Sequence, residues 1–221
     1  MQKLLAGIER FQQQVFEPKR DLFTQLASGQ QPRALFVTCS DSRVDPCLLT
    51  QTDPGELFVL RNAGNLIPRY EASLGGEAGT IEYAIRVLKI PHVIVCGHSQ
   101  CGAMAGLLQP ETTAALPAVR AWLTHASEVR QCVDHACSTG NAKLPEKLNM
   151  AIRENVLTQL ANLQTHPAIA EAMARDALTL HGWVYEFETG TVHACRYPDT
   201  KFCALNSSHA GSIGPRPTAH Q

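Results

Sequence analysis

Alternation constrains this chain more than any other feature. Three short apolar runs, residues 34–38, 57–60 and 92–96, are set between turn-formers such as Pro32 and Asp53-Pro54-Gly55. Each run is too short for a helix and suits a buried strand. Residues 76–88, rich in Ala and Ile, read as a helix between the second and third runs. Strand, helix, strand in alternation requires right-handed crossovers and a mostly parallel sheet, hence an α/β fold. In such sheets ligands bind beyond the carboxyl ends of the strands.

At two of those ends stand soft metal ligands. Cys39 follows the first run in Cys39-Ser40-Asp41-Ser42-Arg43, and His98 and Cys101 follow the third in Gly97-His98-Ser99-Gln100-Cys101-Gly102. Two thiolates and one imidazole suit zinc, and three protein ligands leave a fourth position open for chemistry. Water in that position is acidified to a pKa of about 7. Asp41 can orient such a water or bind the metal itself and close the site. Arg43 can hold Asp41 through a bidentate pair. Two competing partners for one carboxylate make a pH-dependent switch. A structural four-ligand zinc site is the bland alternative, but no fourth Cys or His follows at finger spacing.

The rest of the chain supports a single domain. Its 221 residues and 44% hydrophobic content are enough for one core. A net charge of -1 offers no basic field for nucleic acid or anionic membrane. No apolar run approaches the roughly 20 residues of a membrane span, and no signal segment is evident. The eight cysteines are therefore read as ligands or small buried hydrophobes of a reduced, cytoplasmic protein. Leu4, Leu5, Ile8, Phe11, Val15 and Phe16 recur at helical spacing, which predicts a helix over 3–17 whose apolar face covers this chain's own core or a neighbouring subunit. A second short helix follows Pro18 and ends near Gly29. Helices are also expected over 117–136, 146–163 and 167–176, then a strand at 178–187 that turns at Glu188-Thr189-Gly190 into a hairpin at the sheet edge. Residues 206–221 read as a mobile tail beyond a domain spanning 1–205, with a helical arm at 3–28. Cys132 and Cys137, around Asp134 and His135, need not converge on a metal. His181 reads as structural.

At these residues the chain resembles the β-class carbonic anhydrases. The pair Cys39-x-Asp41-x-Arg43 and His98-x-x-Cys101 is highly specific, and the likeness runs from about residue 3 to residue 205. It includes 54–65, the Glu82-Tyr83-Ala84 helix and His181-Gly182-Trp183-Val184-Tyr185. The chain most resembles the plant-like (type I) bacterial branch associated with cyanate degradation. The resemblance implies a parallel four-stranded sheet extended by an antiparallel edge strand and flanked by helices. It implies reversible hydration of CO2 to bicarbonate through zinc-bound hydroxide, with one zinc per subunit on Cys39, His98 and Cys101, and Asp41 with Arg43 as catalytic dyad. By the same resemblance Gln30, Phe58, Ala63, Tyr83 and Gly102 line the substrate pocket, with Gln30 and Tyr83 serving a neighbouring subunit's metal. A homodimer is implied, or a tetramer or larger assembly. Phe36 and Thr38 stand where a bicarbonate-regulated subclass has Trp and Gly, so that regulation is not expected. The competing functions are hydrolysis of carbonyl sulfide or carbon disulfide on the same site, and a noncatalytic zinc-bound assembly protein.

Overall fold

The computed structural model describes residues 1–72, 74–138 and 142–205. The stretch read as a mobile tail, 206–221, lies outside the described residues. The chain divides into two compact units, Met1–Gln31 and Pro32–Gln221.

The first unit is helical. α1 (Gln2–Arg10) runs directly into π-helical turns at Phe11–Phe16, and α2 (Arg20–Ala27) follows. The predicted single helix over 3–17 thus changes pitch at Phe11. The wider turns accompany a three-ring cluster: Phe11 lies 6.4 Å from Phe16, and Phe23 lies 5.9 Å and 5.1 Å from the two. Ring contacts of this kind are worth about 0.5–1.5 kcal/mol each beyond burial. Leu4, Leu5 and Ile8 remain more than half exposed, at 66%, 55% and 55%.

The second unit is a sheet covered by helices. Its elements in order are β1 (Ala34–Cys39), α3 (Pro46–Thr50), β2 (Leu57–Asn62), α4 (Gly76–Glu82, extended by π-turns at Tyr83–Val87), β3 (His92–His98) and α5 (Gly102–Leu108). Then come α6 (Pro117–Leu123), α7 (Ser127–Ala136), α8 (Leu144–Leu163), α9 (Pro167–Ala174), β4 (Thr179–Tyr185), β5 (Val192–Arg196) and β6 (Cys203–Ala204). The strand order is β2-β1-β3-β4-β5-β6. The first four pair in parallel, and β5 and β6 add antiparallel. The expected sheet of four parallel strands with an antiparallel edge is present, but the outermost strand is the two-residue β6, too short to leave a periodic signal.

Burial explains why these runs are strands. All six residues of β1 are buried, as are six of the seven in β3, so both read as continuous apolar stretches. The main core joins one sheet face to the helices; Phe36, Ile94 and Cys96 form a smaller cluster on the other, where Phe36 meets Trp183 edge-on at 5.9 Å. α8 packs closely because Gly182 has no side chain: a Cβ there would sit 2.8 Å from both Cys195 Sγ and Val156 Cγ1.

Two differences from the sequence reading affect the site. The expected helix over 117–136 breaks into α6 and α7 at a 3-10 turn, Thr124–Ala126. α5, which starts immediately after Cys101, was not anticipated, because the seven-residue run Gly-Ala-Met-Ala-Gly-Leu-Leu is short and contains two glycines.

Candidate metal centre and dyad

β1 and β3 are adjacent and parallel, with Thr38 opposite Cys96. Their last residues, Cys39 and His98, therefore emerge side by side at one end of the sheet. Cys101 is the residue from which α5 starts. The Sγ atoms of Cys39 and Cys101 and a ring nitrogen of His98 all lie within 4.8 Å of one another, and all three side chains are buried. This is the one such group of three metal-ligating residues among the described residues. Cys132, Asp134, His135 and Cys137 form no such group.

The donor set fits a metal. His98 Nδ1 is paired with the Ser99 carbonyl at 2.9 Å, which orients the ring and leaves Nε2 to face the two sulfurs. Nε2 is fully buried and has no hydrogen-bond partner. A buried, partnerless nitrogen costs free energy unless something coordinates it. The thiols make the same point. Cys39 is pushed well below the ordinary thiol range, mainly by a hydrogen bond from Cys101, then by the neighbouring His98 ring and by the backbone N–H groups of Gly64 and Asp41. Cys101 is pushed well above that range by the same neighbouring sulfur, although the N–H groups of Ala103 and Met104 at the start of α5 favour its thiolate. Two thiolates this close need a cation between them. The residues fit zinc, which prefers two Cys and one His with a fourth position open.

Beside the triad lies Asp41, with Oδ2 4.0 Å from His98 Nε2. Arg43 grips that carboxylate through Nε and Nη2, and its backbone N–H adds a third bond at 3.0 Å. The grip holds the Asp41 carboxyl well below the usual carboxylate range. Arg43 is fixed in turn by the Gln100 carbonyl at 3.3 Å and by the Phe187 ring, whose centroid lies 4.5 Å from the guanidinium carbon.

The end of β2 and the loop after it support both parts, and several of their residues were missed by sequence reasoning. Arg61 donates to the carbonyls of Cys39 and Asp41, so it splints the turn between ligand and dyad. The Gly64 N–H points at Cys39 Sγ at 3.3 Å. Gly64 has φ +81°, and a Cβ there would lie 2.9 Å from Ala103 Cβ, so only glycine brings the backbone close enough to the sulfur. α8 clamps this loop with a buried polar ladder. Asn155 donates to the Gly64 carbonyl, Gln159 accepts from the Ile67 N–H, and Asn162 donates to the Ile67 carbonyl. His166, just past α8, pairs with the Pro68 carbonyl. Polar residues at 155, 159, 162 and 166 carry helical spacing in the sequence. That spacing was the available sign that one face of α8 reads backbone.

The residues expected to line a substrate pocket are distributed. Phe58 and Tyr83 meet at 6.1 Å between ring centroids. Phe58 is in register with Leu35, four residues before Cys39, which is about 13 Å along the strand from the metal end. Ala63 is exposed and its carbonyl accepts from the Trp122 indole. Gly102 opens α5 next to Cys101. Gln30 belongs to the first unit and is exposed. Cys39, Asp41, Arg43, His98, Cys101 and Gly102 are thus brought together within one chain, whereas Phe58 and Tyr83 form a separate pair. A cleft of about 530 Å³ lined by Ser99, Gln100, Arg153, Glu186 and Glu188 contains none of the ligands. His181 Nε2 lies 3.3 Å from His92 Nδ1, away from the cluster, in keeping with a structural role.

A three-ligand centre at the carboxyl ends of a parallel sheet, with a clamped carboxylate at its mouth, is the layout of an α/β metalloenzyme. Comparison with known proteins supplies the class. The family described as carbonic anhydrase matches residues 34–192. A carbonic anhydrase of Synechocystis is 50% identical over 195 residues, covering 88% of this chain and 70% of its own. The solved β-carbonic anhydrase CcaA superposes with a TM-score of 0.89 at 48% identity, covering 94% of this chain and 92% of its own. A solved structure of two tetrameric β-carbonic anhydrases from Sordaria macrospora gives a TM-score of 0.79 at 26% identity, covering 93% and 98%. The chain belongs to the β-class carbonic anhydrase family. It is a lyase that interconverts CO2 and bicarbonate.

Proposed function

We propose that Cys39, His98 and Cys101 hold one zinc ion per subunit and that Asp41 and Arg43 are the catalytic dyad for CO2 hydration. The observation that carries this reading is the convergence of a buried, partnerless His98 Nε2 with two sulfurs, 4.0 Å from Asp41 Oδ2. When bound, the metal supplies a Lewis acid that acidifies water to a pKa of about 7. The remaining work falls to the protein. Asp41, kept ionised by Arg43, accepts a hydrogen bond at the mouth of the site and so orients the attacking oxygen. Arg43, held by Phe187 and Gln100, fixes the carboxylate beside the ligand cluster, with Oδ2 4.0 Å from His98 Nε2. Gly64 N–H and the first amides of α5 stabilise the sulfur charges, which keeps both thiols unprotonated.

The substrate is apolar, linear and uncharged, and Gln30, Phe58, Ala63, Tyr83 and Gly102 line its pocket in the assembled enzyme. The separation of Phe58 and Tyr83 from this chain's own cluster supports a pocket shared between copies, in which Gln30 and Tyr83 serve a neighbouring subunit's metal. The exposed row Leu4, Leu5 and Ile8 on α1 supports a homo-oligomer, as does the tetrameric state named for the Sordaria enzymes. Among the described residues no helix is long and apolar enough to cross a membrane. Eight cysteines outside disulfides suit a reducing compartment, which we take to be the cytoplasm.

Stopped-flow CO2 hydration on purified protein, with metal analysis, tests the reading. About one zinc per chain and saturable hydration are expected, and Asp41→Asn should retain zinc while losing most turnover. Carbonyl sulfide turnover without CO2 hydration would reassign the substrate. Light scattering of wild type and of a Leu4→Asp/Ile8→Asp variant tests the assembly; a wild-type monomer would overturn it.

A further inference from the structure

The turn that follows β4 reaches back to the ligand loop not only through Phe187 but also through Glu188. Glu188 accepts from Ser99 Oγ at 2.9 Å and from Gln100 Nε2. Ser99 Oγ in turn accepts from the Phe187 N–H at 3.0 Å, and the Ser99 N–H donates to the Tyr185 carbonyl at 2.8 Å. Ser99 and Gln100 are the two residues between the ligands His98 and Cys101. Gln100 adopts φ +55°, a left-handed conformation that costs a non-glycine residue free energy and persists only where its surroundings impose it. Its carbonyl is the one that holds Arg43 Nη2. The adjacent Phe187 lies under the Arg43 guanidinium and also packs on the His98 ring, 5.1 Å between centroids.

We propose that Glu188 is a positioning residue for the dyad: through Ser99 and Gln100 it sets the ligand loop in the conformation that presents the Gln100 carbonyl to Arg43, and so keeps Arg43 on Asp41. Glu188 touches neither the ligands nor Asp41. It acts on Arg43 through one strained residue and one carbonyl. Its exposure means that trimming it leaves no hole in the core, so loss of function need not follow loss of fold. Side chains that orient the groups around a metal centre are worth about 10- to 100-fold in activity or metal affinity when removed.

The inference rests on the CO2-hydration reading, and the wild-type assay separates the two. A zinc-loaded wild type that does not hydrate CO2 overturns that reading and removes the basis for this one. With an active wild type, Glu188→Ala is expected to lower kcat and kcat/KM together by about tenfold with KM little changed, as for an interaction made in the transition state. Glu188→Gln keeps an acceptor oxygen and should recover most of that loss. A second readout does not depend on turnover: with cobalt in place of zinc, the visible ligand-field spectrum should shift in the alanine variant and return toward wild type in the glutamine variant. Wild-type kinetics and spectrum in Glu188→Ala would overturn the proposal. So would an activity loss that tracks a fall in melting temperature, with an unchanged cobalt spectrum and no recovery in Glu188→Gln.

Discussion

Arg43 holds Asp41 with two parallel bonds, Nε to Oδ1 at 2.9 Å and Nη2 to Oδ2 at 2.7 Å, in residues only two apart in the chain. The pairing keeps the carboxyl ionised far below the usual carboxylate range. A carboxylate whose pKa is lower in the folded than in the unfolded state stabilises the fold above the unfolded value of about 3.9, and loses that contribution as pH falls through the folded value. Wild type should therefore exceed Arg43→Ala in stability by a constant margin from neutrality to about pH 5, with the margin shrinking below that. Urea denaturation across pH measures it, and a margin that widens on acidification contradicts the assignment. Turnover of Arg43→Ala should fall by about 100-fold or more, since an oriented proton acceptor is worth about 10²–10⁴.

Metal removal should separate structure from chemistry. Cys39, His98 and Cys101 lie close enough to share one ion, and the two sulfurs oppose each other without it. Dialysis against a strong chelator should abolish activity and lower the melting temperature, and zinc should restore both. Cys101→Ser should bind at least tenfold more weakly in competition with a chromogenic chelator. Full activity in metal-free protein would refute the three-ligand centre.

Gly64 is predicted to tolerate no side chain. Gly64→Ala combines a φ of +81° with a Cβ 2.9 Å from Ala103 Cβ. The strain and overpacking together should cost about 1–3 kcal/mol or more. The variant also moves the N–H that Cys39 Sγ accepts, so zinc should exchange faster. Equilibrium unfolding and zinc release rates test both parts.

The α8 ladder should behave as a unit. Gln159→Leu keeps the volume approximately but leaves the buried Ile67 N–H without its acceptor, at a cost of about 1–3 kcal/mol. Asn155→Leu should add less than its own separate cost, because Gln159 Nε2 donates to Asn155 Oδ1 at 2.9 Å and the pair is coupled. A double-mutant cycle by denaturant unfolding measures the coupling. Strict additivity would show that the two amides act independently.

Local pattern was sufficient for much of this protein. The continuous apolar runs ending in Cys39 and His98 encode parallel strands buried on both faces, because only such strands need no polar alternation. Ligand chemistry is equally local: thiolate and imidazole at the ends of those runs define a metal preference whatever the fold does around them. The helix spacing near 76–88 and 146–163 was legible for the same reason. What tertiary structure alone decided is which distant backbone meets these groups. Arg61 on the Cys39 and Asp41 carbonyls, Gly64 under the sulfur, the Asn155–Gln159–Asn162 ladder, and Glu188 on the loop between His98 and Cys101 join residues 20 to 95 positions apart. Hydrogen bonds across such separations leave no periodic trace in the chain, since they depend on where the sheet order and the α8 crossover bring the two partners.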